Sequence, residues 1–233
     1  MEIKGFLESS LLEWDGLISA VVFVPTCNLR CPFCYVPDLV LRPEALPSYD
    51  PGWLLERLAG LLGWLDGCVI SGGEPTLHSW LPRLLGKVRA LGLRTKIATN
   101  GTHPEVIRSL IERRLVDAVA MDVKSGLFPE RYAAACGTTV SVDSILESIS
   151  LIKGGAVEGE FRTTVVPGIV GPEDVPSIAG ALGEGALWYL QQYKPEPTLD
   201  PAYGSLSPYA PSVLEGMADA ARGMGLDCRV RGI

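Results

Sequence analysis

Leu17-Ile18-Ser19-Ala20-Val21-Val22-Phe23-Val24 runs directly into Pro25-Thr26-Cys27-Asn28-Leu29-Arg30-Cys31-Pro32-Phe33-Cys34-Tyr35. The first run is apolar except for Ser19 and rich in β-branched residues, the pattern of a strand buried on both faces of a parallel sheet. Similar runs recur at Cys68–Ser71, Arg94–Ala98, Ala118–Val123, Phe161–Val166 and Leu187–Gln191. Between them lie helical patterns at Gly52–Leu65, Leu77–Leu91, Pro104–Arg114, Val142–Ile152, Glu173–Leu182 and Ser212–Met224, several opening on Ser, Asp or Pro. Six such alternations joined by right-handed crossovers predict an α/β fold, an incomplete (β/α)6 parallel barrel. A full eight-fold barrel needs about 250 residues, and here the first 16 residues and Pro195–Pro211 fall outside the alternation. No repeat or Gly/Ser linker divides the chain, so residues 1–233 read as one domain.

In such folds the chemistry sits where the strands end. The first strand ends in three cysteines, Cys27, Cys31 and Cys34, spaced C-x3-C-x2-C within eight residues. Thiolates this close suit zinc or an iron–sulfur cluster. Neither His78 nor His103 is near, and Cys68, Cys136 and Cys228 are scattered, read most simply as small buried hydrophobes. Three ligands imply a cluster with one iron open to an exogenous ligand.

Gly72-Gly73-Glu74 follows the second strand; the bare reading is a turn, and the glycines would also let backbone approach a ligand. Thr99-Asn100-Gly101 follows the third, readable as a turn with Asn-Gly in left-handed conformations. Asp122 and Lys124 end the fourth on one strand face, fit for a structural ion pair or a ligand. Arg162 begins the fifth in Arg162-Thr163-Thr164-Val165-Val166-Pro167-Gly168, either as a surface charge on an edge strand or lining the site. Gln191 and Gln192 close the sixth, and alternation lets only one of them face the site.

The cysteine loop, with Phe33 at the aromatic position, resembles the radical S-adenosylmethionine (radical SAM) superfamily, signature C-x3-C-x-aromatic-C. The later elements resemble its glycyl-radical activating branch, the anaerobic ribonucleoside-triphosphate reductase activating and pyruvate formate-lyase activating type. Among them are Asp122-x-Lys124, the Arg162 strand and Leu190-Gln191-Gln192-Tyr193-Lys194-Pro195. The likeness runs from about residue 3 to 200. It departs at Ala98, where aspartate is frequent, at Tyr35, where histidine is common, and at Pro25-Thr26, where glycine usually precedes the first cysteine.

The resemblance implies a radical SAM core. Cys27, Cys31 and Cys34 would hold a [4Fe–4S] cluster whose fourth iron binds SAM. Phe33, Gly72, Gly73, Glu74, Thr99, Asn100, Asp122, Lys124, Arg162 and Gln191 would bind the cofactor, with Glu74 at the methionine amino group. Reductive cleavage would give methionine and a 5′-deoxyadenosyl radical that takes hydrogen from the substrate, with no catalytic residue beyond the cluster. The implied partners are a glycyl-radical protein, such as an anaerobic ribonucleotide reductase, and an electron donor such as flavodoxin or ferredoxin. A radical SAM enzyme acting on a small molecule or peptide is the alternative.

Composition narrows the classes further. Twenty basic against 27 acidic residues give a net charge of −7, not the basic footprint of a nucleic-acid binder. The Leu17–Val24 run is too short to cross a bilayer. The opening residues lack a signal-peptide pattern, and six cysteines do not form a secreted scaffold at this length. A reducing cytoplasm is expected. The length leaves no room for a cobalamin domain or a cysteine-rich extension. The one lid candidate is Pro195–Pro211, with Tyr203 and Tyr209.

Overall fold

Two strands open the chain in the computed structural model, β1 (Gly5–Ser10) and β2 (Ser19–Val24). The structure describes residues 1–195 and 197–233; Glu196, within the lid candidate, lies outside the described residues. The chain divides into two compact units built from interleaved segments. The first holds Met1–Asn28, Asp38–Thr99 and Glu105–Val119, the second Leu29–Pro37, Asn100–Pro104 and Ala120–Ile233.

In the first unit β1 pairs antiparallel with β2, and β2 pairs parallel with β3 (Gly67–Gly72), which pairs parallel with β4 (Arg94–Thr99). The register sets Val21 opposite Val69 and Ile70 opposite Ile97, all buried, which accounts for the continuous apolar runs. A short α1 (Pro37–Leu41) precedes α2 (Pro51–Gly60), α3 (Leu81–Ala90) and α4 (Pro104–Glu112). Asp50 starts α2 by accepting the amides of Gly52 at 2.7 Å and Trp53 at 3.0 Å. Helix α3 starts at Leu81, later than the Leu77 expected. Pro82 fits only a first turn, and Pro75–Leu77 is a separate 3-10 turn.

The second unit contains the end of β5 (Ala118–Asp122), then α5 (Pro129–Cys136) and α6 (Val142–Lys153). There follow β6 (Glu158–Val165), α7 (Val175–Leu182), β7 (Leu187–Gln192), α8 (Pro211–Gly223) and β8 (Asp227–Arg231). The β6, β7 and β8 strands pair in parallel. The six expected strands are thus β2 to β7, while β1, β8, α1 and α5 are additions that the periodicity did not reveal. Among the described residues, no helix is long and apolar enough to cross a membrane.

Asp117, at the turn into β5, fastens β4. One carboxylate oxygen accepts the Thr95 amide at 2.7 Å and the Arg89 guanidinium at 2.6 Å. Burial pushes this carboxyl up, but Arg89 and the Thr95 amide outweigh it and hold it below the ordinary carboxylate range. A depressed folded pKa means that the stabilisation is present above about pH 4 and lost as pH falls further. Asp117→Asn should therefore cost about 1–3 kcal/mol at pH 7, with the gap to the parent narrowing below about pH 4. Urea denaturation across that range measures it; a gap independent of pH would mean that the carboxylate charge contributes nothing.

Candidate active site

The first unit gathers its site residues where β2 and β3 end. Gly72 has φ +107°, and a Cβ there would lie 2.8 Å from the Val24 backbone nitrogen and oxygen. At Gly73 a Cβ would come within 1.8 Å of the Thr26 carbonyl oxygen, so no side chain fits. This closeness lets the Gly73 amide donate to the Val24 carbonyl at 2.8 Å and the Glu74 amide to the Thr26 carbonyl at 2.7 Å. Thr26 itself holds φ +58°, the left-handed region that favours glycine, at the position where the sequence departs from the glycine usual before Cys27. Its amide donates to the Leu39 carbonyl at 2.8 Å, and His78 Nε2 lies 2.9 Å from the Pro25 carbonyl.

Glu74 is buried, 1 % exposed. Its Oε1 accepts the Thr76 amide at 3.0 Å, the Thr76 hydroxyl at 2.6 Å and the Thr99 hydroxyl at 2.8 Å. Two residues selected from different strand ends, Glu74 and Thr99, therefore meet. A buried carboxylate fixed on one oxygen by three donors is a rigid acceptor.

Cys31 and Cys34 belong to the second unit, Cys27 to the first. The Cys34 amide donates to the Cys31 carbonyl at 3.0 Å, and Phe33 is buried. Two other segments pin this loop through backbone. The Arg30 amide donates to the Cys136 carbonyl at 2.8 Å, at the end of α5. The Leu199 and Asp200 amides donate to the Cys34 and Pro32 carbonyls at 3.1 and 2.9 Å, so the lid candidate is attached to the cysteine loop. Tyr35 accepts the Lys194 amide at 2.8 Å and stacks on Tyr193.

A hydrogen bond from Cys136 draws the Cys31 thiol down to about 7; burial opposes it and the Lys124 charge assists. Burial pushes Cys34 up. All six cysteines are thiols outside any disulfide. Cys68, fully buried and pushed up to about 12, and Cys228, pushed up to about 11 chiefly by burial, are inert thiols.

Lys124 pairs with Asp122 at 2.7 Å, the ion-pair reading of the sequence. Burial pulls the Lys124 ammonium down, but Asp122 and Cys31 together drive it well above the ordinary lysine value. Asn100 Oδ1 accepts the Thr102 amide at 3.0 Å and hydroxyl at 2.7 Å, and Gly101 takes φ +75° against Met121. Of the Asn-Gly pair, only the glycine is left-handed.

Arg162 is buried and its Nε donates to Glu160 at 2.5 Å, which removes the exposed-edge reading. Its register partner on β7 is Tyr189, and Thr164 pairs with Gln191, so Gln191 shares the strand face that carries Arg162. Gln192 lies on the opposite face and donates to the Tyr209 carbonyl at 2.8 Å. Strand β8, missed in the sequence, adds Arg229 and Arg231 opposite Tyr189 and Gln191.

Among the described residues, no three His, Cys, Asp or Glu side chains form a ready metal group. The donor chemistry nevertheless fits an iron–sulfur cluster. Three cysteine thiols outside any disulfide stand within eight residues, one of them drawn toward the thiolate that such clusters bind. The glycine approach at β3 is made to the Val24–Thr26 backbone, so the expected ligand space at these glycines is filled by the end of β2.

Comparison with known proteins agrees with this chemistry. The family model of the radical SAM superfamily matches residues 21–179, and the chain belongs to that superfamily. It is a radical SAM enzyme; the family uses a [4Fe–4S] cluster and SAM. A Methanocaldococcus jannaschii protein named "Putative glycyl-radical enzyme activating enzyme" is 33% identical over 210 residues, 88% of this chain and 85% of that protein. An S-adenosylmethionine-dependent nucleotide dehydratase of Lacinutrix mariniflava is 29% identical over 58% of this chain, which spans only 25% of that protein. Streptococcus suis SuiB bound to its precursor peptide SuiA superposes with a TM-score of 0.67 at 15% identity, over 91% of this chain and 48% of SuiB, a likeness of fold. The α/β radical SAM fold with parallel strands expected from the sequence is the one found.

Gly73→Ala should break the Glu74-to-Thr26 backbone bond and destabilise the protein by about 1–3 kcal/mol. Gly86→Ala, in α3 with nothing nearer its Cβ than 3.9 Å, should stabilise it by about 0.5–1 kcal/mol. Denaturant unfolding of both variants checks the pair; equal effects would show that the close approach carries no constraint.

Proposed function

We propose that Cys27, Cys31 and Cys34 hold the [4Fe–4S] cluster and that this chain installs a glycyl radical on a partner enzyme. The reading takes residues 1–233 as one radical SAM core domain. Bound there, the cluster and SAM supply the one-electron cleavage that yields methionine and a 5′-deoxyadenosyl radical, which takes a hydrogen atom from the substrate. The chain's own residues bind and orient. Glu74, buried and fixed through Oε1 by Thr76 and Thr99, accepts from the methionine ammonium, and this is the observation that carries the reading. Gly72 and Gly73 contribute to cofactor binding by letting the segment after β3 close on the end of β2, which sets Glu74 in place. Phe33 and Asn100 shape its pocket, Asp122 and Lys124 act at its carboxylate end, and Arg162 and Gln191 contribute from their shared strand face.

The choice of substrate is supported by the Methanocaldococcus jannaschii relative, which this chain matches over most of both lengths. The partner would be a glycyl-radical protein such as an anaerobic ribonucleotide reductase, with flavodoxin or ferredoxin as electron donor, in the cytoplasm. The second reading, a small-molecule substrate, is favoured by the nucleotide dehydratase relative.

Anaerobically reconstituted protein should hold about four irons per chain. Cys27→Ala, Cys31→Ala or Cys34→Ala should each abolish the cluster. Glu74→Ala should keep its iron while binding SAM about tenfold or more weakly, the loss of charge-assisted hydrogen bonds. Reduced enzyme and SAM, incubated with the glycyl-radical proteins of the host, should give the electron paramagnetic resonance doublet of a glycyl radical. No doublet with any of them, alongside SAM cleavage stimulated by a nucleotide, would replace the protein-substrate reading with the second.

A further inference from the structure

The segment leaving β5 is pinned residue by residue. The Val123 amide donates to the Arg162 carbonyl at 2.8 Å, and the Lys124 amide donates to the Tyr132 hydroxyl of α5 at 3.3 Å. The Ser125 hydroxyl donates to the Ile169 carbonyl at 3.1 Å, the Gly126 amide to Asp174 Oδ1 at 3.2 Å and the Leu127 amide to Ser177 Oγ at 3.0 Å. Asp174, just before α7, is the hub of this network. It is 1 % exposed and both of its oxygens are engaged. Oδ1 also accepts Arg131 Nε at 2.5 Å, while Oδ2 accepts Arg131 Nη2 at 2.6 Å and the Gly171 amide at 2.9 Å. Arg131 stands next to Tyr132 on α5. The bonds therefore close a ring from Lys124 to Tyr132, from Arg131 to Asp174, and from Asp174 to Gly126, two residues beyond Lys124.

We propose that Asp174 is a positioning residue: through Arg131 and Gly126 it holds the main chain of Lys124 so that the ammonium meets the carboxylate of the bound cofactor. The inference rests on the proposed reading of Lys124 as a contact at that carboxylate. Lysine is a point charge on a flexible four-carbon stem, so its aim depends on where its main chain is fixed and on what holds its tip. Asp122 holds the tip at 2.7 Å, and the ring holds the main chain. The fork between the Arg131 guanidinium and the Asp174 carboxylate is planar and charge-assisted, so it fixes direction as well as distance. Asp174 acts on the cofactor only through Lys124.

The test is equilibrium dialysis of anaerobically reconstituted enzyme, its cluster oxidised, against SAM and against decarboxylated SAM, which lacks only the carboxylate. The readout is the preference for SAM over the decarboxylated compound, with iron and thermal unfolding measured on the same samples. Lys124→Met should lower that preference about tenfold, the loss of one charge-assisted bond. Asp174→Asn should lower it about threefold or more and leave the affinity for decarboxylated SAM near that of the parent. Combined with Lys124→Met it should lower the preference no further, because it acts through that lysine. Arg131→Gln, at a position that is 36 % exposed, should repeat the effect and carries the test where Asp174→Asn does not fold. Equal weakening of both ligands would be a general loosening of the fold and overturns the inference, as does an additive double variant. Failure of both variants to fold overturns it too, since the network would then serve the fold alone. If Lys124→Met itself keeps the preference, the reading of Lys124 falls and the inference with it. If Lys124→Met loses the preference while the Asp174 and Arg131 variants keep it, the inference falls alone.

Discussion

The carbonyl oxygen of Thr26 sits where a Cβ on Gly73 would have to be, 1.8 Å from that ideal position. Much of the first unit's site follows from this approach. It brings the Glu74 amide to the Thr26 carbonyl and the Gly73 amide to Val24, so the segment after β3 is locked to the segment after β2. Thr26 meets the constraint with a left-handed backbone, a conformation that costs a β-branched residue about 1–2 kcal/mol. That cost is tolerated because its amide and carbonyl are both bonded, to Leu39 and Glu74. With the backbone fixed, the Glu74 carboxylate has one place to go, and Thr76 and Thr99 hold it there.

The second unit meets the same problem differently. Its half of the cysteine loop is irregular backbone, and its amides and carbonyls need partners. They find them in segments far along the chain, the end of α5 and the stretch around Leu199 and Asp200. Both partners are backbone, so the loop is held without drawing on the side chains of Cys31 and Cys34. The proline-rich stretch that the sequence offered as a lid is thereby fastened at Cys34 and Pro32.

The legible elements were those whose burial left a pattern. Strands β2 to β7 announce themselves because both faces of a parallel strand are apolar, as at Cys68-Val69-Ile70. Strand β1 has an exposed Leu7-Glu8-Ser9 middle, and β8 reads Asp-Cys-Arg-Val-Arg. The β1 string carries no alternation, whereas that of β8 alternates polar with apolar over only five residues at the end of the sequence. Helix α5 escaped for another reason. Eight residues with three consecutive alanines carry little amphipathic signal, and its buried side chains take their meaning from what they face. Candidate site residues stand out in the sequence where they fall in a short motif, as in the three cysteines and Gly72-Gly73-Glu74. The meeting of Glu74 with Thr99 does not, because the two lie on different strand ends and come together only once β3 and β4 are paired.

The charges of the second unit have a common logic. Lys124 is partly buried and pairs with Asp122, and the attraction of Asp122 and Cys31 exceeds the cost of its desolvation. The same ammonium helps to lower Cys31, while Asp122 opposes it. The Asp-x-Lys pair that reads in sequence as a plain ion pair therefore biases a neighbouring thiol as well, and the two readings of it are not rivals. A carboxylate alone at Asp122 would only raise the thiol; a lysine alone would lose the partner that offsets its desolvation. Paired on one strand face two residues apart, they keep positive charge beside the loop at a bearable cost.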